Sequence, residues 1–291
     1  MAETVPPLGL LLDIDGPIAS PKSRTIAIPS IIGDLVLLAG AGIPISFITG
    51  RSDTFVRERV VAPLIEAGLS PDTRMFAVCE KGGTWAEITG RGLGEVTIDH
   101  SVGLPEKYTE EIRQLAVRDF DDTMFFDETK RAMISLEQRT DVDHLRYVDA
   151  QTVFNEAAFD ALVRYGLGAR FGHRETPDAE GHVKFRIDPT VISTDVESVL
   201  LDKDRGAQRA IAYFAENGPL PHVWRSVGDS RSDYLMADHL HSEGFEVAHV
   251  DVRPADGILE RPYPIVVEGN LIHDDAGAAF LSYWTKKLSL R

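Results

Sequence analysis

The chain has 291 residues, 43% hydrophobic and 26% charged, enough for one large domain or two modest ones with ordinary globular cores. Its 46 acidic and 30 basic residues leave a net charge of −16, which repels a phosphate backbone and argues against broad nucleic-acid binding. No apolar run approaches the ~20 residues that span a bilayer, and the opening MAETVPPLG has neither the basic region nor the apolar core of a secretory signal.

In chain order, GLLLDID (9–15) reads as a buried strand. In an extended segment Asp13 and Asp15 share one face while Ile14 takes the other. Two carboxylates so close repel, and their placement makes sense if a cation or a chemical task lies between them. A turn-starting Asp-Gly pair is the competing explanation. The apolar spacing from Ile28 to Leu38 predicts a helix ended by Gly40 and Gly42, and IPISFIT (43–49) a second buried strand. TFVRERVVAPLIEAG (54–68) has helical spacing that Pro63 should kink or interrupt, and MFAVC (75–79) is a third strand. Cys79, the only cysteine, excludes an intramolecular disulfide. It fits a reducing, cytoplasmic setting as a small buried hydrophobe rather than a nucleophile. Strands alternating with helices predict a parallel sheet with helices on both faces.

The pattern changes after Gly82-Gly83. Residues 84–199 mix short strands (TWAEI, AMISLEQ, HVKFRID) with helical stretches near 105–119 and 155–167, and HRETPDAEGH (173–182) reads as a hairpin loop. This α+β section is expected to be a domain inserted into the alternating one, which comprises residues 1–83 and 200–291. Alternation resumes with a helix over 205–216, a strand at VWRSVGD (223–229) and a helix over 231–240. The strands FEVAHV and PIVV and a final helix over 275–287 complete the chain.

Three further stretches bear on the paired aspartates. FITGRS (47–52) puts Thr49 and Gly50 at the carboxyl end of a strand, with Ser52 or Asp53 able to cap the next helix. Open α/β sheets form their sites there, and a hydroxyl beside unpaired amides suits a phosphate oxygen. A plain strand-to-helix turn accounts for the same residues. LLDKDRGAQRAI (200–211) places Lys203 just before a helix, able to pair with a phosphate and a carboxylate; a solvated lysine between Asp202 and Asp204 is the alternative. SVGDSRSDYLMAD (226–238) ends a strand at Gly228, with Asp229 next and Asp233 on the same side one turn later. Asp229 then suits a hard cation such as Mg²⁺, and Asp233 its water or the lysine. Helix capping explains Asp229 or Ser230 alone, but not the whole set.

Taken together, DIDG (13–16), FITGR (47–51), Lys203 and GDSRSD (228–233) resemble the motifs of the haloacid dehalogenase (HAD) superfamily of phosphatases. The long insert resembles the type IIB cap of Cof-like and sugar-phosphate phosphatases. EKGGTWAEI (80–88) resembles the hairpin that precedes this cap, and VVEGNLIHDDAGAAFL (266–281) the closing strand and helix. The likeness covers most of the chain, strongest in the core and faint across the cap. It implies an α/β fold: a Rossmann-like parallel sheet core flanked by helices, with an inserted α+β type IIB cap domain that selects substrate. It also implies a Mg²⁺-dependent phosphohydrolase acting on a small phosphorylated metabolite, a sugar or polyol phosphate, through an aspartyl-phosphate. Asp13 would be the nucleophile and Asp15 the general acid and base. Thr49, Gly50 and Lys203 would hold phosphoryl oxygens. Asp13, Asp229 and the backbone carbonyl of Asp15 would ligate Mg²⁺, with Ser230 and Asp233 supporting them.

This chain departs from the family at three places. Pro17 stands where Thr is usual, and Lys81 replaces the customary Asn of the pre-cap hairpin. Gly206 follows the lysine by three residues rather than one, which leaves Arg205 as a rival, though helical spacing favours Lys203. In the insert, Arg186, Lys184, His182 and Glu137 lie on predicted strands as candidates for the leaving group, an exposed polar strand face being the simpler reading of each. The rival functions are a phosphomutase on the same scaffold and a non-catalytic acidic module that only binds Mg²⁺ or Ca²⁺. A hydroxyl and a lysine beside three carboxylates argue against the second. Oligomeric state is not legible.

Overall fold

The computed structural model describes residues 4–291; the first three residues of MAETVPPLG lie outside them. The first unit spans the chain up to Thr97 together with Asp202–Arg291, and the second spans Ile98–Leu201.

The first unit opens with β1 (Gly9–Leu12), α1 (Pro29–Gly40) and β2 (Ile45–Ile48). It continues through α2 (Asp53–Val56), α3 (Ala62–Glu66), β3 (Met75–Cys79), β4 (Thr84–Thr89) and β5 (Gly92–Leu93), with β6 (Thr97–Ile98) at the boundary. All four residues of β1 and of β2 are buried, as expected of parallel strands covered on both faces. Leu10 and Leu12 join one apolar layer with residues of α1, while Leu11 joins a second on the other face of the sheet. Proline at the first turn of α1 costs no hydrogen bond, because that N–H has no partner within the helix. Pro63 is accommodated rather than disruptive. The five residues before α3, Arg57–Val61, widen into a π turn, which absorbs the missing donor without ending the helical path.

In the second unit, α4 (Glu106–Leu115) leads to β7 (Met124–Phe126), β8 (Ile134–Gln138) and the long α5 (His144–Arg164). The strands β9 (Ala169–Phe171), β10 (Arg174–Thr176), β11 (Phe185–Pro189) and β12 (Ser193–Ser198) follow. The chain re-enters the first unit with α6 (Lys203–Glu216), β13 (Val223–Gly228), α7 (Tyr234–Ser242), β14 (Glu246–Asp251), β15 (Ile265–Val266) and α8 (His273–Lys287).

The strand order of the large sheet is β15-β14-β13-β1-β2-β3-β4-β5. Strands run parallel from β15 to β3, and β4 and β5 add antiparallel edges. Chain order reverses between β1 and β13, and the crevice at such a reversal is where open α/β sheets bind ligands. The second unit has its own six-stranded sheet, β10-β9-β11-β12-β8-β7, packed on α4 and α5 around Tyr108, Phe154, Leu162 and Val196. The α/β core and the α+β character of the insert agree with the sequence.

Several expectations are corrected. TWAEI belongs to the first unit: β4 pairs with β3 along five residues, Met75 opposite Ile88 through Cys79 opposite Thr84. The second unit therefore begins near residue 98 rather than 84. Helix α5 starts at His144, well before the expected 155, because Asp143 caps it by accepting from the N–H groups of Leu145 and Arg146. Part of HRETPDAEGH is strand, Arg174–Thr176 pairing antiparallel with β9. Strand β12, STDVES, had no apolar alternation to announce it, yet all six of its residues are buried.

Candidate active site

The carboxyl ends of β1, β2 and β13 converge on Lys203. Asp202 caps α6 and accepts from the N–H of Lys203, which fixes the lysine as the first residue of the helix. Its Nζ lies 2.6 Å from Asp13 Oδ1, 2.8 Å from Asp233 Oδ1 and 2.7 Å from the carbonyl oxygen of Ile48. One buried ammonium thus ties together the elements that carry three of the sequence motifs. Gly206 matters for the same reason. A Cβ there would come within 2.3 Å of Ile48 Cγ2, so glycine lets α6 approach β2 closely enough for the lysine to reach. Arg205 points elsewhere, packing its side chain against Gly82. Of the two basic candidates, Lys203 is the one at the cluster.

Asp233 has both oxygens occupied. Oδ2 accepts from the N–H groups of Asp229 (3.1 Å) and Ser230 (2.9 Å) and from Ser230 Oγ (2.7 Å), a capping box that shapes the turn after β13. Gly228 makes room for it, since a Cβ at that position would meet Asp233 Cβ at 2.2 Å. Asp229 is left with its carboxylate against Gly16, whose φ of 98° and missing Cβ permit the approach; a Cβ would stand 2.8 Å from Asp229 Cγ.

Asp13 and Asp15 do not share a partner. Both oxygens of Asp15 accept from Arg51, one from Nε and one from Nη2, each at 2.9 Å. Arg51 also lies over the Phe55 ring at 4.7 Å. Thr49 is buried, its Oγ1 accepting from the N–H of Arg51 at 3.1 Å, and its carbonyl accepts from the N–H of Lys81. Lys81 has a φ of 53° and runs its side chain past Gly50. Arg51 stood in the FITGR motif without an assigned task. Only the fold reveals that it faces an aspartate 36 residues earlier.

The electrostatics are unbalanced. Burial raises Asp13 well above the ordinary carboxylate range; Lys203 opposes this, and Asp233, Asp15 and Asp229 add to it. Burial pushes Asp229 up to about 7, with Asp233 contributing and Lys203 opposing. Burial works against the charge on Lys203, but Asp13 and Asp233 outweigh it and hold the ammonium above its usual range. Burial would likewise raise Asp233, yet Lys203 holds it below the ordinary value. Oxygens of Asp13, Asp229 and Asp233 lie within 4.8 Å of one another. A set made only of carboxylate oxygens, with surplus negative charge, suits a hard divalent cation such as Mg²⁺. Because Asp233 is fully engaged, Asp13 and Asp229 are the carboxylates available to it.

The candidates in the second unit are scattered. Arg186 pairs with Glu197 at 2.7 Å, and Lys184 pairs with Asp178 at 2.9 Å. His182 is exposed in the loop between β10 and β11, 3.9 Å from Asp178, and Glu137 is buried on β8. None of the four lines the open, polar cavity of about 330 Å³ in this unit, which is walled by residues including Arg113, Phe126, Glu128 and Lys130. Among the described residues, no helix is long and apolar enough to cross a membrane.

No protein-family model matches the sequence, and no curated protein matches it. Solved structures do. The C-terminal domain of C. albicans trehalose-6-phosphate phosphatase aligns with 96% of this chain and 93% of its own at 13% identity, TM-score 0.63. A haloacid dehalogenase-like hydrolase from Bacteroides thetaiotaomicron aligns with 95% of this chain and 98% of its own at 12% identity, TM-score 0.57. The sucrose-phosphatase of Synechocystis, solved with sucrose and phosphate, aligns with 96% of this chain and 98% of its own at 14% identity, TM-score 0.52. This chain has the fold of these hydrolases.

Proposed function

We propose that this chain, built on the fold of the haloacid dehalogenase-like hydrolases, is a Mg²⁺-dependent phosphoric monoester hydrolase. Its substrate is a small phosphorylated metabolite, a sugar or polyol phosphate. The observation that carries this reading is the single lysine shared between Asp13 and Asp233 in a cluster of four carboxylates, at the point where strand order reverses. A structural ion site has no need of a buried lysine competing for its ligands.

In this reading Asp13, through the oxygen that Lys203 does not hold, would ligate the cation together with Asp229 and the backbone carbonyl of Asp15. A cation held by these residues would supply charge neutralisation for the phosphoryl group and for Asp13. Asp13 attacks phosphorus through a carboxylate oxygen, forming an aspartyl-phosphate as the bond to the leaving oxygen breaks. Asp15 gives its proton to that oxygen, then takes one from the water that attacks phosphorus and releases inorganic phosphate. The Thr49 hydroxyl and the Gly50 N–H hold phosphoryl oxygens as their charge develops, and Lys203 joins them by giving up one of the three acceptors it holds. Ser230 and Asp233 fix the turn that presents Asp229 and the lysine. While both Asp15 oxygens accept from Arg51, neither can offer a proton, so the acid step requires that pair to part.

The insert supplies substrate choice in this account, and its polar cavity suits a hydroxyl-rich leaving group. Buried Cys79 supports a reducing, cytoplasmic setting, and the net charge of −16 argues against nucleic acid as a partner. The direct test is inorganic phosphate released from an aryl phosphate with Mg²⁺, then with excess chelator, followed by a panel of sugar phosphates. Release that needs the metal is expected. Phosphoryl transfer between sugar positions without free phosphate would instead identify a mutase, and cation binding without turnover a binding module.

A further inference from the structure

His273 opens α8 with a φ of 50°, a left-handed conformation that persists in a bulky residue only where its surroundings impose it. Its N–H donates to the carbonyl of Val252 at 2.8 Å, which locks the backbone in that pose. The side chain is thereby delivered to the carboxylate cluster: Nδ1 stands 3.8 Å from Asp229 Oδ2. Asp229 is then hemmed on two sides, by His273 and by Gly16, where a Cβ would lie 2.9 Å from the same oxygen.

One turn further along α8, a Cβ at Gly277 would meet the carbonyl oxygen of Pro17 at 1.8 Å. The helix is therefore seated on the loop that follows Asp13 and Asp15 while its first residue reaches Asp229. This also gives Pro17, a departure from the family pattern, a definite neighbour. Yet Nδ1 of His273 is buried and makes no hydrogen bond. A strained residue aims a buried polar atom at a carboxylate and stops short of bonding it.

We propose that His273 is a positioning residue for Asp229: its imidazole, protonated at Nδ1, donates to Asp229 Oδ2 when a divalent cation takes the other oxygen, and so fixes which oxygen faces the cation. Carboxylates that ligate a metal are characteristically held by such a donor, and losing it typically weakens metal affinity about 10–100-fold. This rests on the cation site of the proposed function, but not on turnover.

The test is Mg²⁺ and Mn²⁺ affinity of the full chain, measured by calorimetry, for wild type, His273→Gly and His273→Asn. Glycine removes the ring and relieves the positive φ, so its melting temperature should be no lower than that of wild type. Its cation Kd should nevertheless rise about tenfold or more. Asparagine tolerates the same backbone and retains a donor, and should recover much of that loss. An unchanged Kd in His273→Gly overturns the inference while leaving the phosphohydrolase reading intact. A wild-type chain that binds neither cation overturns it as well. A weakened Kd in His273→Gly, with no phosphate released by wild type, sustains the positioning role and removes the hydrolase.

Discussion

Two groups of buried acids in this chain are handled in opposite ways. In the second unit Glu197, fully buried, is matched by Arg186, and Asp195 accepts a hydrogen bond from Ser135 Oγ at 2.7 Å. In the first unit, Asp13, Asp229 and Asp233 crowd one ammonium, and burial drives Asp13 and Asp229 upward in spite of it. A matched pair satisfies itself and holds a sheet together. A surplus is relieved by taking up a proton or a cation. The contrast separates carboxylates that serve the fold from carboxylates that, in the proposed function, take up a cation and a phosphoryl group.

Removing a surplus carboxylate should therefore cost activity and not stability. Asp13→Asn is expected to lower turnover by about 10⁴-fold or more, as for loss of a covalent nucleophile, without lowering the melting temperature. Substantial retained phosphatase activity would withdraw the nucleophile role. Asp15→Asn should slow an alkyl phosphate by about 10²–10⁴-fold and an activated aryl phosphate far less, because the better leaving group needs less protonation. Equal losses on the two substrates would end the general-acid assignment.

Removing a matched carboxylate should do the reverse. Glu197→Gln removes the charge that faces Arg186 at 2.7 Å and should destabilise the chain by about 3 kcal/mol in urea unfolding, near the lower end for broken buried pairs. A stable variant would mean that the pair is not what secures β11 to β12.

A smaller effect separates a third kind of buried group, one kept neutral. His249 is buried on β14 with Nδ1 2.8 Å from Ser226 Oγ, and burial lowers it from 6.5 to about 4. The unfolded chain takes up that proton first, so stability conferred by the neutral ring is present above pH 6.5 and lost as pH falls through about 4. His249→Gln should flatten this part of the melting-temperature profile. An identical slope in the variant would assign the acid sensitivity to other groups.

Much of the candidate site was legible before the fold, because Asp13, Thr49, Lys203, Asp229 and Asp233 each sit at a strand end or helix start that local pattern reveals. What stayed hidden was hidden for physical reasons. The Arg51–Asp15 pair and the approach of His273 to Asp229 join residues distant in sequence. In the second unit, α5 and β12 were obscured together. Gln151 of α5 donates to the carbonyls of Thr190 and Ser193, and Asn155 accepts from Thr194 Oγ1 at 2.7 Å. Polar residues that satisfy one another inside a core dilute the apolar period of the helix and erase the alternation of the strand. TWAEI was misassigned because antiparallel pairing with β3 is a tertiary choice that its composition does not disclose.

Asp13 is the centre of the proposed chemistry, and one measurement with a generic aryl phosphate addresses it. Wild-type protein is mixed with an aryl phosphate and Mg²⁺, quenched in acid within the first turnovers, and its intact mass and peptides are determined. The expected result is a phosphoryl adduct on the peptide carrying Asp13, absent with chelator and absent in Asp13→Asn. Phosphate released at the same rate with no adduct, or an adduct that survives in Asp13→Asn, would contradict it.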